Sequence, residues 1–187
     1  CRYAAHDLVA ESYNIIRLFV TEGMEYESEP YGNLPEDGLY TVSSAEYKTI
    51  EQIETLLKST YVEEEVQRIL TNIDGNGLAV YKNRKKLVKV EDTSESTAES
   101  TSESSIKYDT EYVLGISSSF TPDADYSKDW TDLNFGYEII SETECNITIY
   151  FGGYNPAVDT AEPLPDQVLD MTMVKVGDVW RLKALVY

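Results

Sequence analysis

The amino-acid sequence predicts an α+β fold: an N-terminal helix and two short helices packed with a mostly antiparallel β-sheet. Three observations carry this. Apolar residues recur at steps of three and four before Asp74, the period of a helix face. After Gly77 the dominant pattern is alternation, the period of a strand with one buried face. Gly177–Asp178 then splits two alternating runs, which marks an antiparallel hairpin. Helices first and hairpins afterwards give α+β, and 187 residues suit a single domain over residues 1–187.

The first helix is expected over Ala4 to Glu22, where Leu8, Val9, Ile15, Ile16, Phe19 and Val20 form one face flanked by Ser12 and Gly23 supplies a stop. Pro30, Gly32, Asn33 and Pro35 make Met24 to Glu36 a loop, and Gly38 to Ser44 reads as a short strand. Thr49 followed by Gln52 fits a capping box opening a helix with Ile50, Ile53, Leu56 and Leu57 on one side. A second cap at Ser59 or Thr60 would start another helix carrying Val62, Val66, Ile69 and Leu70. Asp74 to Gly77 signals a turn. Leu78 to Val90 is then expected to be a hairpin with its tip near Asn83–Arg84. Strands follow in Lys107–Ser117, Phe135–Gly153 and Val168–Tyr187. The expected core is Leu8, Ile15, Ile53, Leu57, Ile69, Val113, Ile139, Ile147, Ile149, Val174, Trp180 and Leu182.

Between the strands lies Asp92 to Ser105, "DTSESTAESTSESS", with no side chain larger than Ala98 that is apolar and no positive charge. Ordering a residue costs roughly 1–2 kcal/mol of backbone entropy, and this stretch has nothing to bury in return. It is expected to be a flexible Ser/Thr/Glu loop over 91–105, kept soluble by Glu91, Asp92, Glu95, Glu99 and Glu103. Loop closure costs little for such an insertion, so folding should not need it.

Composition excludes several functions. The net charge of −19 argues against nucleic acid, whose phosphates call for clustered Lys and Arg. No apolar run reaches the roughly 20 residues of a membrane helix, so membrane contact is expected only through a lipid anchor at Cys1. Cys1 in first place fits the lipid-modified cysteine of mature bacterial lipoproteins; the alternative is a pairing with Cys145, the other of the two cysteines. The 15 Tyr against 4 Phe suit half-wet faces and interfaces. No cofactor is implied, and a monomer is expected.

Chemistry has few footholds. His6, the sole histidine, falls early in the first helix and reads as a surface residue, leaving no base beside a nucleophile. Cys145 alternates with apolar neighbours and reads as core. Asp123, Asp125, Ser127 and Asp129 have calcium-loop spacing, but Lys128 stands where such a loop needs Gly and Asn134 where it needs Glu. No catalytic or metal residue is assigned. What this polar stretch does present is charge and aromatic surface: Asp125, Tyr126, Asp129 and Trp130 are the candidate partner-binding residues. "KNRKK", Lys82 to Lys86, is a basic turn whose alternative role is contact with an anionic polymer.

Gly38 to Leu70 resembles the DL-endopeptidase inhibitor (IseA) family of Gram-positive bacteria. The resemblance rests on Tyr40, on Thr49 to Leu57 as a T/S-φ-E-x-φ-x-x-φ-L helix, and on Thr60–Tyr61 stepping into a second short helix. The flanking helix and "VGDVWRLKALVY" are compatible with it. It implies a non-catalytic extracellular or cell-envelope protein whose partner is a cell-wall endopeptidase of the NlpC/P60 type, inhibited by occlusion of its active site. The acidic insertion departs from the family pattern. A rival resemblance attaches to "MVKVGDVWRLKALVY", which is similar to the terminal hairpin of NTF2-like cones and implies a small-ligand-binding module instead.

Overall fold

A computed structural model describes residues 2–27, 35–71, 80–90 and 107–187. The chain is α+β. Helix α1 (Arg2–Ile16) runs into a π-helical turn, Arg17–Thr21. Strand β1 (Leu39–Thr41), helices α2 (Ile50–Thr60) and α3 (Glu63–Thr71), and strands β2 (Tyr81–Val90) and β3 (Lys107–Ser117) follow. The second half holds β4 (Asn134–Ser141), β5 (Glu144–Tyr150), β6 (Val168–Val176) and β7 (Val179–Leu182). The strands divide between two antiparallel sheets, ordered β1-β3-β2 and β4-β5-β6-β7. Among the described residues no helix is long and apolar enough to cross a membrane.

The helical face read from the sequence is the buried one. Leu8, Val9, Ser12, Ile15, Ile16, Phe19 and Val20 all enter the core, where Ile53, Leu57, Val66 and Ile69 meet them from α2 and α3. Gly23 ends the helical segment with φ +76°, and a Cβ there would sit 2.7 Å from the Phe120 ring, so only glycine fits. At the start of α2, Gln52 Oε1 accepts the N–H groups of Lys48 and Thr49 at 2.6 and 3.1 Å, satisfying donors that a helix end leaves open.

Two expected features are placed differently. Ser59 and Thr60 do not cap α3; they close α2, their hydroxyls donating to Leu56 O at 2.7 and 3.1 Å. The chain then extends at Tyr61 and pairs with β7, Val62 N–H donating to Leu182 O at 3.0 Å. Glu63, Glu64 and Glu65 supply negative charge to the first turn of α3, where the helix dipole favours it. Nor do Asn83–Arg84 form a hairpin tip. They lie inside the continuous strand β2, opposite Leu114 and Val113. Neither residue is a glycine or proline, and Arg84 is held in place by Asp37 (3.2 Å) and Thr41 Oγ1 (2.9 Å). Cys1, the Asp74–Gly77 turn and the acidic stretch 91–105 lie outside the described residues.

Most expected core residues are buried, and four are not. Val113, Val174 and Trp180 are half-buried, and Ile139 is 72 % exposed. Strand β4 is a sheet edge, and its far half passes beyond whatever covers β5.

Candidate functional site

The partner-binding candidates fall in the connection between β3 and β4. The segment is tied down at both ends. Asp123 N–H donates to Val20 O at 2.9 Å, joining it to the end of the π turn. Asp132 takes a left-handed conformation (φ +46°), and its carbonyl accepts Gly153 N–H at 3.2 Å. A non-glycine residue in that region is costly and persists because its surroundings hold it, as the bond from Gly153 does here.

Within the loop the four candidates divide by direction. Trp130 faces inward: its ring stacks on Tyr13 of α1 (4.6 Å, 15°) and meets Phe151 edge-on at 4.9 Å. Its Nε1–H donates to the Tyr126 hydroxyl. Tyr126 is also half-buried, and burial raises its phenol above the ordinary value. Lys128 Nζ lies 5.9 Å from the Tyr126 ring centre, close enough for a cation–π contact. Asp125 and Asp129 are exposed. Short local bonds shape the backbone beneath them: Asp123 Oδ1 accepts Asp125 N–H at 3.0 Å. Asp129 Oδ1 accepts the N–H and hydroxyl of Thr131 at 3.1 and 2.8 Å. The structure therefore unites all four residues in one loop but gives the aromatic pair the task of bracing it. Tyr13 and Phe151, which complete that brace, carry no local sequence signal; their partner is more than a hundred residues from α1.

The other candidates are accounted for by their surroundings. His6 is exposed on α1, packs on Phe135 (4.3 Å between ring centres) and shares a hydrogen bond with Tyr137 through Nε2 at 3.0 Å. Cys145 is fully buried, and burial pushes its thiol up from the ordinary value, away from the reactive thiolate. In the basic run, Lys86 pairs with Glu27 at 2.7 Å, Arg84 with Asp37, and Lys85 lies over Tyr112 at 5.9 Å.

Fold and loop together define a two-sheet α+β protein presenting a braced acidic loop. The chain matches no family model, and no curated protein matches it.

Proposed function

We propose that this chain is a non-catalytic protein of the cell envelope that inhibits a cell-wall DL-endopeptidase of the NlpC/P60 type by occluding its active site. The observation that supports this reading is the braced loop itself. A plug must enter a groove without losing much freedom on binding, and a loop fixed by Trp130, Tyr13 and Phe151 has little left to lose. Asp125 and Asp129 stand outward on that rigid carrier. The endopeptidase groove accepts stem peptides with free carboxylates, so it is suited to receive them. The net charge of −19 would speed approach to a cationic groove, an effect that salt screens.

The test is binding of a purified endopeptidase domain to wild type, to the Asp125→Asn/Asp129→Asn double variant and to Trp130→Ala, at low and high salt. Wild type binds. The double variant associates about tenfold more slowly at low salt and nearly normally at high salt, because only steering has been removed. Trp130→Ala weakens binding at both, because the brace is lost. No binding by wild type sinks the inhibitor reading; wild-type binding that neither variant alters removes the loop from the interface.

A further inference from the structure

The outer face of the four-stranded sheet carries a second, independent surface. In β5 the residues Cys145, Ile147 and Ile149 are buried, so Asn146 and Thr148 between them point the opposite way. Register sets two rows across that face: Glu138, Asn146 and Thr172 in one, Gly136, Thr148 and Asp170 in the next. These six residues line a cleft of about 550 Å³. A second cleft, of about 590 Å³, shares Asp170 and Thr172 with it and leads past Lys183 toward α3. With strands about 4.8 Å apart, the two intervals from β4 to β6 span roughly 10 Å, and the further step to Lys183 brings the groove to roughly 15 Å.

The polar groups in it are already ordered. Asn146 donates through Nδ2 to Glu138 Oε2 (3.2 Å) and accepts the Thr172 hydroxyl on Oδ1 (3.0 Å). Thr148 donates to Asp170 Oδ1 at 2.7 Å. Each bond fixes an orientation and leaves capacity over: the second amide hydrogen of Asn146, the other carboxylate oxygens of Glu138 and Asp170, and the lone pairs of both threonines. At one rim Gly136 adjoins the half-buried ring of Tyr150, which packs on Tyr154 (5.4 Å between ring centres); a Cβ on Gly136 would lie 3.6 Å from that ring and 3.8 Å from its hydroxyl.

We infer that this groove binds a neutral, hydroxyl-rich oligosaccharide. Sugar hydroxyls both donate and accept, and the groove offers fixed acceptors and one fixed donor, the second amide hydrogen of Asn146, with an aromatic ring beside its rim. A lipid or apolar peptide would leave these groups buried and unpaired, at a cost that disfavours it. A polyanion would meet Glu138 and Asp170 in a protein of net charge −19. The site shares no residue with the β3–β4 loop, so it stands or falls separately from the inhibitor reading.

The experiment titrates the chain with chitotetraose, cellotetraose and an oligogalacturonate, read by calorimetry and by amide chemical shifts. Saturable binding of at least one neutral oligomer is expected, with shifts in β4, β5 and β6. Asn146→Ala with Asp170→Ala should weaken it at least about tenfold. Gly136→Leu, whose Cβ would meet only ordinary contacts at 3.5–3.8 Å, should block it while circular dichroism and melting stay unchanged. No neutral oligomer bound at millimolar concentration, binding of the uronate alone, or binding indifferent to both variants overturns the inference.

Discussion

Strand β5 and the β2–β3 ribbon obey the same alternation and meet different fates. On β5 every second residue (Cys145, Ile147, Ile149) is fully buried, and Met171 and Met173 lie opposite on β6. On the ribbon the core face begins equally well, with Tyr81 beside Ile116 and Leu114 beside Asn83. Two pairs further along, the same face carries Lys85 opposite Tyr112 and Leu87 opposite Thr110, and Leu87 and Tyr112 are 70 % and 60 % exposed. Pairing runs along both, broken only by a register shift between Ile139 and Ser141 where β4 meets β5. What differs is cover: β5 is closed over along its length, and the ribbon only near its base. Strand pairing and burial are thus separate contributions, and in this chain they can be measured apart.

The largest difference should appear on truncating one side chain from each sheet. Ile147→Ala leaves a cavity in a region with no exposed surface and should cost about 2–5 kcal/mol in chemical denaturation. Leu87→Ala removes similar atoms from a face that water already reaches and should change stability by no more than about 0.5 kcal/mol. Comparable losses at both sites would mean that the ribbon face is covered in solution.

A smaller effect belongs to the seam where the helical layer meets β7. Tyr61 is 1 % exposed and shares a hydrogen bond with Ser12, itself fully buried, at 2.9 Å. Tyr61→Phe keeps the ring and strands the serine hydroxyl, which should cost about 1–3 kcal/mol. Burial raises the Tyr61 phenol above its ordinary value, and burial does the same to Tyr81. The sign follows from linkage. Above about pH 10 the unfolded chain releases phenolic protons that the folded chain retains, so stability falls as pH rises. It is fully present below that point. Denaturation midpoints between neutral pH and strong alkali should show this decline in wild type, and a shallower one in Tyr61→Phe. A variant that declines as steeply as wild type would remove Tyr61 as a source of it.

The same comparison explains what could be read from the residues alone. The α1 face was legible because Leu8, Val9, Ile15 and Ile16 repeat at helical spacing and one surface does bury them all. Gln52 announced the start of α2 because its side chain bonds locally, within four residues. The course of β2 through "KNRKK" was not legible. The run has no apolar alternation to mark a strand, and what holds Arg84 and Lys86 straight is Asp37 and Glu27, both distant in sequence. The division of the strands into two sheets is equally a matter of long-range pairing. In the candidate loop, the acidic and aromatic residues were visible, but the direction of Trp130 depends on Tyr13, which no local pattern links to it.

The smallest effect is the sharpest test of cover, because it compares two residues paired across one ladder. Ile139 on β4 lies directly opposite Cys145 on β5, and both point to the same side of the sheet. Cys145 has no exposed surface, whereas Ile139 is 72 % exposed. Alternation within β4 places Ile139 with Phe135 and Tyr137, which do pack against the core, so pattern alone assigns it to the interior. Geometry overrules the pattern: the ring of His6 from α1 reaches Phe135, and its Nε2 reaches the Tyr137 hydroxyl; Ile139 lies farther along the edge. Ile139→Thr retains a β-branched side chain suited to a strand and exposes little that was hidden, so stability should move by no more than about 0.5 kcal/mol. Cys145→Ser, one pleat partner away, puts a hydroxyl where a thiol is sealed from water and should cost about 1–3 kcal/mol. Both are read from denaturation midpoints under reducing conditions. A loss at Ile139 as large as that at Cys145 would show the β4 edge to be covered in solution, and the boundary drawn here between paired and buried would have to move outward by one strand.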